Sequence, residues 1–116
     1  MQLQKKNGII EIDIKPLLHE LCRLREGTDI RSLALGFHYA IASMMVKVTN
    51  RLQNRYGFAQ IAISGGVFQN TILTEKAMEE IHREGYSVYR NIAVSPGDGG
   101  ISLGQAYLGA LHRKQI

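Results

Sequence analysis

Apolar residues recur at positions 30, 33, 34, 37, 41, 44, 48 and 52, spacings mostly of three and four that keep one face of a helix apolar. Thr28-Asp29 offers an N-cap before this run, and Asn54-Arg55-Tyr56-Gly57 closes it. At about 1.5 Å per residue such a helix reaches roughly 40 Å, longer than a compact domain of this size is across. It must pack against a sheet face or protrude towards a partner. Upstream the period changes to two. Ile10, Ile12 and Ile14 share one face and Glu11 and Asp13 the other, predicting a half-exposed strand over residues 8–14, ended by Pro16. Leu17 to Leu24 follows as a short helix stopped by Gly27.

Downstream, residues 58–64 predict a short buried strand carrying Ile61 and Ile63, which runs into Gly65-Gly66. Asn70-Thr71 can cap a helix whose buried stripe is Leu73, Ala77 and Ile81, closed by Gly85. Tyr86-Ser87-Val88-Tyr89 alternates again as a strand. Strand, helix and strand in this space form a right-handed βαβ unit with parallel strands. After Ile92-Ala93-Val94, the loop Ser95-Pro96-Gly97-Asp98-Gly99-Gly100 opens a last helix, Ile101 to His112. Its Gly104, Ala106, Gly109 and Ala110 permit close approach of another element.

Composition narrows the class. The chain has 116 residues, 45% hydrophobic and 21% charged, which suits one folded domain over residues 1–116 with one small core and excludes intrinsic disorder. A compact fold of this mass would expose roughly 6,300 Å². Net charge is +4 and the pI near 9.4, but the basic residues are dispersed: Lys5-Lys6, Arg23 and Arg25, Lys47 and Arg51, Arg113-Lys114. No single basic face forms, so nucleic acid is not an expected partner. Cys22 is the only cysteine, which removes intrachain disulfides and cysteine-based zinc sites. The nearly uncharged stretch from Ser32 to Val46 is shorter than the ~20 residues a membrane span requires. No signal-peptide h-region opens the chain, and a cytoplasmic protein without a membrane partner is expected.

The chemistry concentrates in two glycine-rich turns. Ser64-Gly65-Gly66-Val67-Phe68-Gln69-Asn70 and Gly97-Asp98-Gly99-Gly100 each follow a strand region and lead into a helix. Ligands of open α/β sheets bind beyond the carboxyl ends of strands, and glycine allows close backbone approach to phosphate oxygens at helix amino termini. The other reading of each turn is a tight connection in which glycine only supplies an unusual φ. Gly-x-x-x-x-Gly-Lys-[Ser/Thr], Gly-x-Gly-x-x-Gly and Gly-x-Ser-x-Gly are all absent, and Ser64 reads as a strand-end hydroxyl rather than a nucleophile. Asp98 is either an N-cap or, unshielded between glycines, a hard oxygen ligand for a metal that bridges to phosphate. His38 sits either in the core or at the cleft. The four histidines offer no pair at i, i+3 or i, i+4.

These two motifs together, with Pro16-Leu17-Leu18 and Phe37-His38, resemble the C-terminal end of the hydrogenase-maturation carbamoyltransferases (HypF), over residues 9 to 113. The resemblance implies an α/β fold: a partial RNase H-like, actin-like ATPase lobe with a short, mostly parallel sheet, a βαβ unit and one long helix. It implies a reaction in which carbamoyl phosphate and ATP give carbamoyl adenylate. The carbamoyl group then passes to the C-terminal cysteine of a HypE-like partner and becomes cyanide on the iron of [NiFe]-hydrogenase. Carried across, Gly65 and Gly66, with Gly99 and Gly100, line the nucleotide phosphates, Asn70 contacts the nucleoside and Asp98 holds a divalent metal. The family usually has Asn where Gly97 stands and Arg where Thr71 stands. One lobe holds one wall of the cleft, so the remaining lobe or subunit is an expected partner and the chain alone is expected to be inactive. The alternative is a non-catalytic association module that pairs with a second copy of itself or docks through its exposed sheet edge and apolar face.

Overall fold

The structure, a computed structural model, describes residues 2–6 and 8–113; Lys114 of the basic C-terminal pair lies outside them. The chain order is β1 (Gln2–Lys6), β2 (Ile9–Asp13), α1 (Lys15–Leu24), α2 (Ile30–Tyr56), β3 (Gln60–Ile63), α3 (Thr71–Arg83), β4 (Ser87–Arg90) and α4 (Ile101–Arg113). Two single 3₁₀ turns, Gly66–Gln69 and Asp98–Gly100, precede α3 and α4. The class is α/β, and β3–α3–β4 is the expected parallel unit, with Ile61 opposite Val88 and Ile63 opposite Arg90. The strand read from residues 8–14 does not join it. β2 pairs antiparallel with β1, giving two separate two-stranded sheets.

The long helix begins and ends where its chemistry dictates. Asp29 accepts from the amides of Arg31 (2.8 Å) and Ser32 and from the Ser32 hydroxyl. Gly57, at φ +69°, closes the helix by donating to the Gln53 carbonyl at 2.7 Å. Between them Ala42 is buried and α2 packs chiefly along α3. Tyr86 donates to Asn50 Oδ1 (2.6 Å) and Asn50 donates to Glu84 (2.9 Å), tying the far half of α2 to the α3–β4 turn.

The Ser32 hydroxyl, then the Arg31 amide, hold the Asp29 carboxyl below the usual carboxylate range. A lowered folded pKa stabilises above the unfolded value and is lost as pH falls through it. The melting temperature should therefore drop as pH is taken from about 5 to about 3, and Asp29→Asn, which caps without charge, should flatten that part of the profile.

The buried apolar set is small: Ala42, Ile63, Leu73, Ala77 and Ile81. The molecule measures 64 × 32 × 28 Å with a radius of gyration of 17.8 Å, against about 13 Å for a compact chain of this length. Its accessible surface is 8858 Å², well above the roughly 6,300 Å² of a compact fold. Uncovered apolar faces account for the difference. The first half of the α2 stripe is open, with Ile30 77% exposed, and every residue of α4 is exposed, including Leu103, Tyr107 and Leu108. Around the small residues of α4 there is open space: a Cβ on Gly104 or Gly109 would meet nothing within 4 Å, and Ala106 and Ala110 are exposed. No helix among the described residues is long and apolar enough to cross a membrane.

Candidate functional site

The two glycine turns are in contact. Gly65 donates its amide to the Pro96 carbonyl at 2.8 Å, and a Cβ built on Gly97 would lie 3.3 Å from Gly66 Cα and 2.7 Å from Gln69 Nε2. Gln69 Nε2 also reaches Ser95 Oγ at 3.4 Å, and Ser64 Oγ lies 3.5 Å from the Pro96 carbonyl, the strand-end role expected of it. The absence of a side chain at Gly97 leaves room for the two turns to nest this closely.

The glycines divide by task. Gly65 sits at φ +114°, ψ 159°, a region essentially reserved for glycine, so its identity is demanded by the backbone. Gly100 is demanded by packing, because a Cβ there would come within 2.6 Å of the Ser95 carbonyl oxygen. Gly99 would meet Ser95 Cβ at 3.3 Å. Gly66 differs: its φ is ordinary and a Cβ would meet nothing within 4 Å. It opens onto free space.

A 3₁₀ turn cannot satisfy its own first amides. Gly66 and Val67 open one turn, Asp98 and Gly99 the other, and none of the four amides donates to a backbone carbonyl of the described residues. Two neighbouring junctions thus present unspent donors, the arrangement that suits an anion.

Asp98 is not the N-cap; Gly97 holds that position and no side chain caps the turn. The Asp98 carboxylate is exposed and makes no hydrogen bond or ion pair among the described residues. No cluster of three His, Cys, Asp or Glu residues forms among them either, so Asp98 stands at the second turn as a single hard oxygen donor. Magnesium commonly uses one or two carboxylates and completes its shell with water and phosphate oxygens, and that single donor fits this mode.

Asn70 ends the first turn and caps α3, accepting the Leu73 amide at 3.0 Å. Buried Thr74 spends its hydroxyl on the carbonyls of Phe68 (2.9 Å) and Asn70 (2.8 Å), fastening the turn to the helix. His38 is half-buried on α2 and makes contact with Asn70 across 32 residues of sequence, a pairing the sequence reading missed. It also borders an apolar groove of about 390 Å³ between α1 and α2, lined by Leu21, Leu33 and Phe37 among others.

Residues 1–105 match the family described as "Carbamoyltransferase, Kae1-like Domain, second subdomain". The chain belongs to the HypF carbamoyltransferase family. It is 40% identical over 68 residues to the probable carbamoyltransferase HypF of Methanocaldococcus jannaschii, covering 59% of this chain and 9% of that protein. The HypF homolog of Cupriavidus necator is 33% identical over 103 residues, covering 85% of this chain and 26% of that one. A crystal structure of full-length HypF in the phosphate- and nucleotide-bound form superposes with a TM-score of 0.84 at 29% identity, over 90% of this chain and 14% of that one. The chain spans about a quarter or less of the length of these HypF relatives. The fold implied by the two glycine motifs is thus the fold found.

Proposed function

We propose that this chain forms the nucleotide-phosphate wall of a HypF-type site. There ATP and carbamoyl phosphate yield carbamoyl adenylate, and the carbamoyl group passes to the C-terminal cysteine of a HypE-like acceptor in [NiFe]-hydrogenase maturation. The observation that carries the reading is the contact between the two turns, which sets the unspent amides of Gly66, Val67, Asp98 and Gly99 on two adjoining junctions. The phosphate- and nucleotide-bound state of the full-length relative supports the same ligand class. Gly66 leaves room for the phosphates. Gly65 and Gly100 hold the turns in shape, Gly99 adds a donor, and Asn70 faces the nucleoside.

Asp98 gives the site its electrostatic condition. A carboxylate beside phosphate-binding amides repels the phosphate unless a cation stands between them. A divalent ion would neutralise that repulsion and polarise the phosphoryl oxygens. Calorimetric titration should accordingly find MgATP bound at least about tenfold more tightly than ATP with a chelator, and Asp98→Ala should bind both forms alike. Absence of heat with the wild-type chain, unrestored by the rest of the enzyme, would refute the reading.

A second reading is favoured by a different observation. Among the described residues β3 pairs only with β4 and β2 only with β1, and an apolar groove of about 310 Å³ lined by Ile12, Met44, Met45, Val48 and Phe68 lies beside β3. An open strand edge over such a groove suits association with a missing lobe or a second copy. Light scattering distinguishes the two: a strictly monomeric chain that binds MgATP excludes a module built for self-association.

A further inference from the structure

Both ring nitrogens of His38 are engaged. Nδ1 lies 2.7 Å from the carbonyl oxygen of Ala34, one turn back on α2, and Nε2 lies 2.8 Å from Asn70 Nδ2. Asn70 Oδ1 lies 3.0 Å from the Leu73 amide. The polarity of this row is fixed at both ends. A backbone N–H only donates, so the Asn70 atom facing Leu73 is its oxygen and the other is its NH₂. That NH₂ only donates, so His38 Nε2 must accept. The Ala34 carbonyl only accepts, so His38 Nδ1 must carry the proton. One protonation state, the neutral Nδ1–H imidazole, satisfies every member.

We propose that His38 is a positioning residue for the glycine-turn site, holding the Asn70 amide in a single orientation. Turning that amide over would set NH₂ against the Leu73 N–H and oxygen against the Nε2 lone pair, losing both bonds at once. In the held orientation one N–H and one lone pair of Asn70 stay free for a ligand, at the junction of the first turn with α3. No acid or base step is asked of His38. The consequence for ligand rests on the nucleotide reading above, whereas the hydrogen-bonded row belongs to the chain alone.

Two readouts separate these. Nitrogen-15 spectra of the ligand-free chain at mildly alkaline pH should show His38 as the Nδ1–H tautomer. His38→Phe should shift the Asn70 side-chain NH₂ and the Leu73 amide. In MgATP titrations His38→Phe should weaken binding roughly 3- to 10-fold, and His38→Gln, whose side-chain oxygen can accept from Asn70, should restore most of the loss. An Nε2–H tautomer, an unmoved Asn70 NH₂ in His38→Phe, or equal affinity of wild type and His38→Phe overturns the proposal. Equal losses in the Phe and Gln variants also overturn it, since they would mark a packing role. If the spectra are as expected but the wild type does not bind MgATP, the nucleotide reading fails and the positioning role for ligand falls with it, leaving the row as a cap of α3.

Discussion

Ile81→Ala is expected to destabilise the chain by about 2–5 kcal/mol, enough to remove most of the folded population of a marginally stable domain. Ile81 is 1% exposed on the buried face of α3, in line with Leu73 and Ala77, and is one of only five buried apolar side chains among the described residues. A core this small has few neighbours to relax into the cavity, and few other contacts to offset it. Urea unfolding followed by circular dichroism should show a large fall in midpoint. Ile72→Ala, on the exposed side of the same helix, should stay within about 0.5 kcal/mol. A mild effect at Ile81 would mean that stability resides in the helix pairing as a whole rather than in this cluster.

The second large effect concerns ligand. Gly66→Ala should fold as well as wild type, because its backbone is ordinary and its Cβ would enter empty space. Gly66→Glu should fold too, yet lose MgATP binding by at least about 100-fold, since a carboxylate would occupy the open space at Gly66 beside the unspent amides of both turns. If Gly66 were merely part of a tight connection, both variants would bind as wild type does. Gly65 cannot serve in this comparison: its φ of +114° makes any side chain a strain on the backbone.

Much of this was legible in the residues. Asp29 and Gly57 bound α2 as the capping chemistry requires, and Asn70 and Leu73-Ala77-Ile81 placed α3 and its buried face. The two glycine motifs announced the family, and the structure brings them into contact. What escaped was non-local or masked by polarity. β1 is nearly all polar, so hydrophobic periodicity passed it over, although Asn7-Gly8 before an alternating run is a hairpin signal. Ile92-Ala93-Val94 reads as extended but forms bends that carry the chain to the second turn. The His38–Asn70 bond joins residues 32 apart, and neither residue alone announces it. The distinct tasks of Gly65 and Gly66 depend on φ and free space, which adjacent identical letters cannot express. The apolar faces of α2 and α4 follow helical spacing, but spacing does not say what covers them.

On this reading the two glycine turns act as one anion site. Amide spectra of the nitrogen-15-labelled chain during MgATP titration test it most directly. Gly66, Val67, Asp98 and Gly99 should shift together along one saturable curve. Movement of one turn without the other, or shifts confined to the basic residues of α2 such as Lys47 and Arg51, would contradict it.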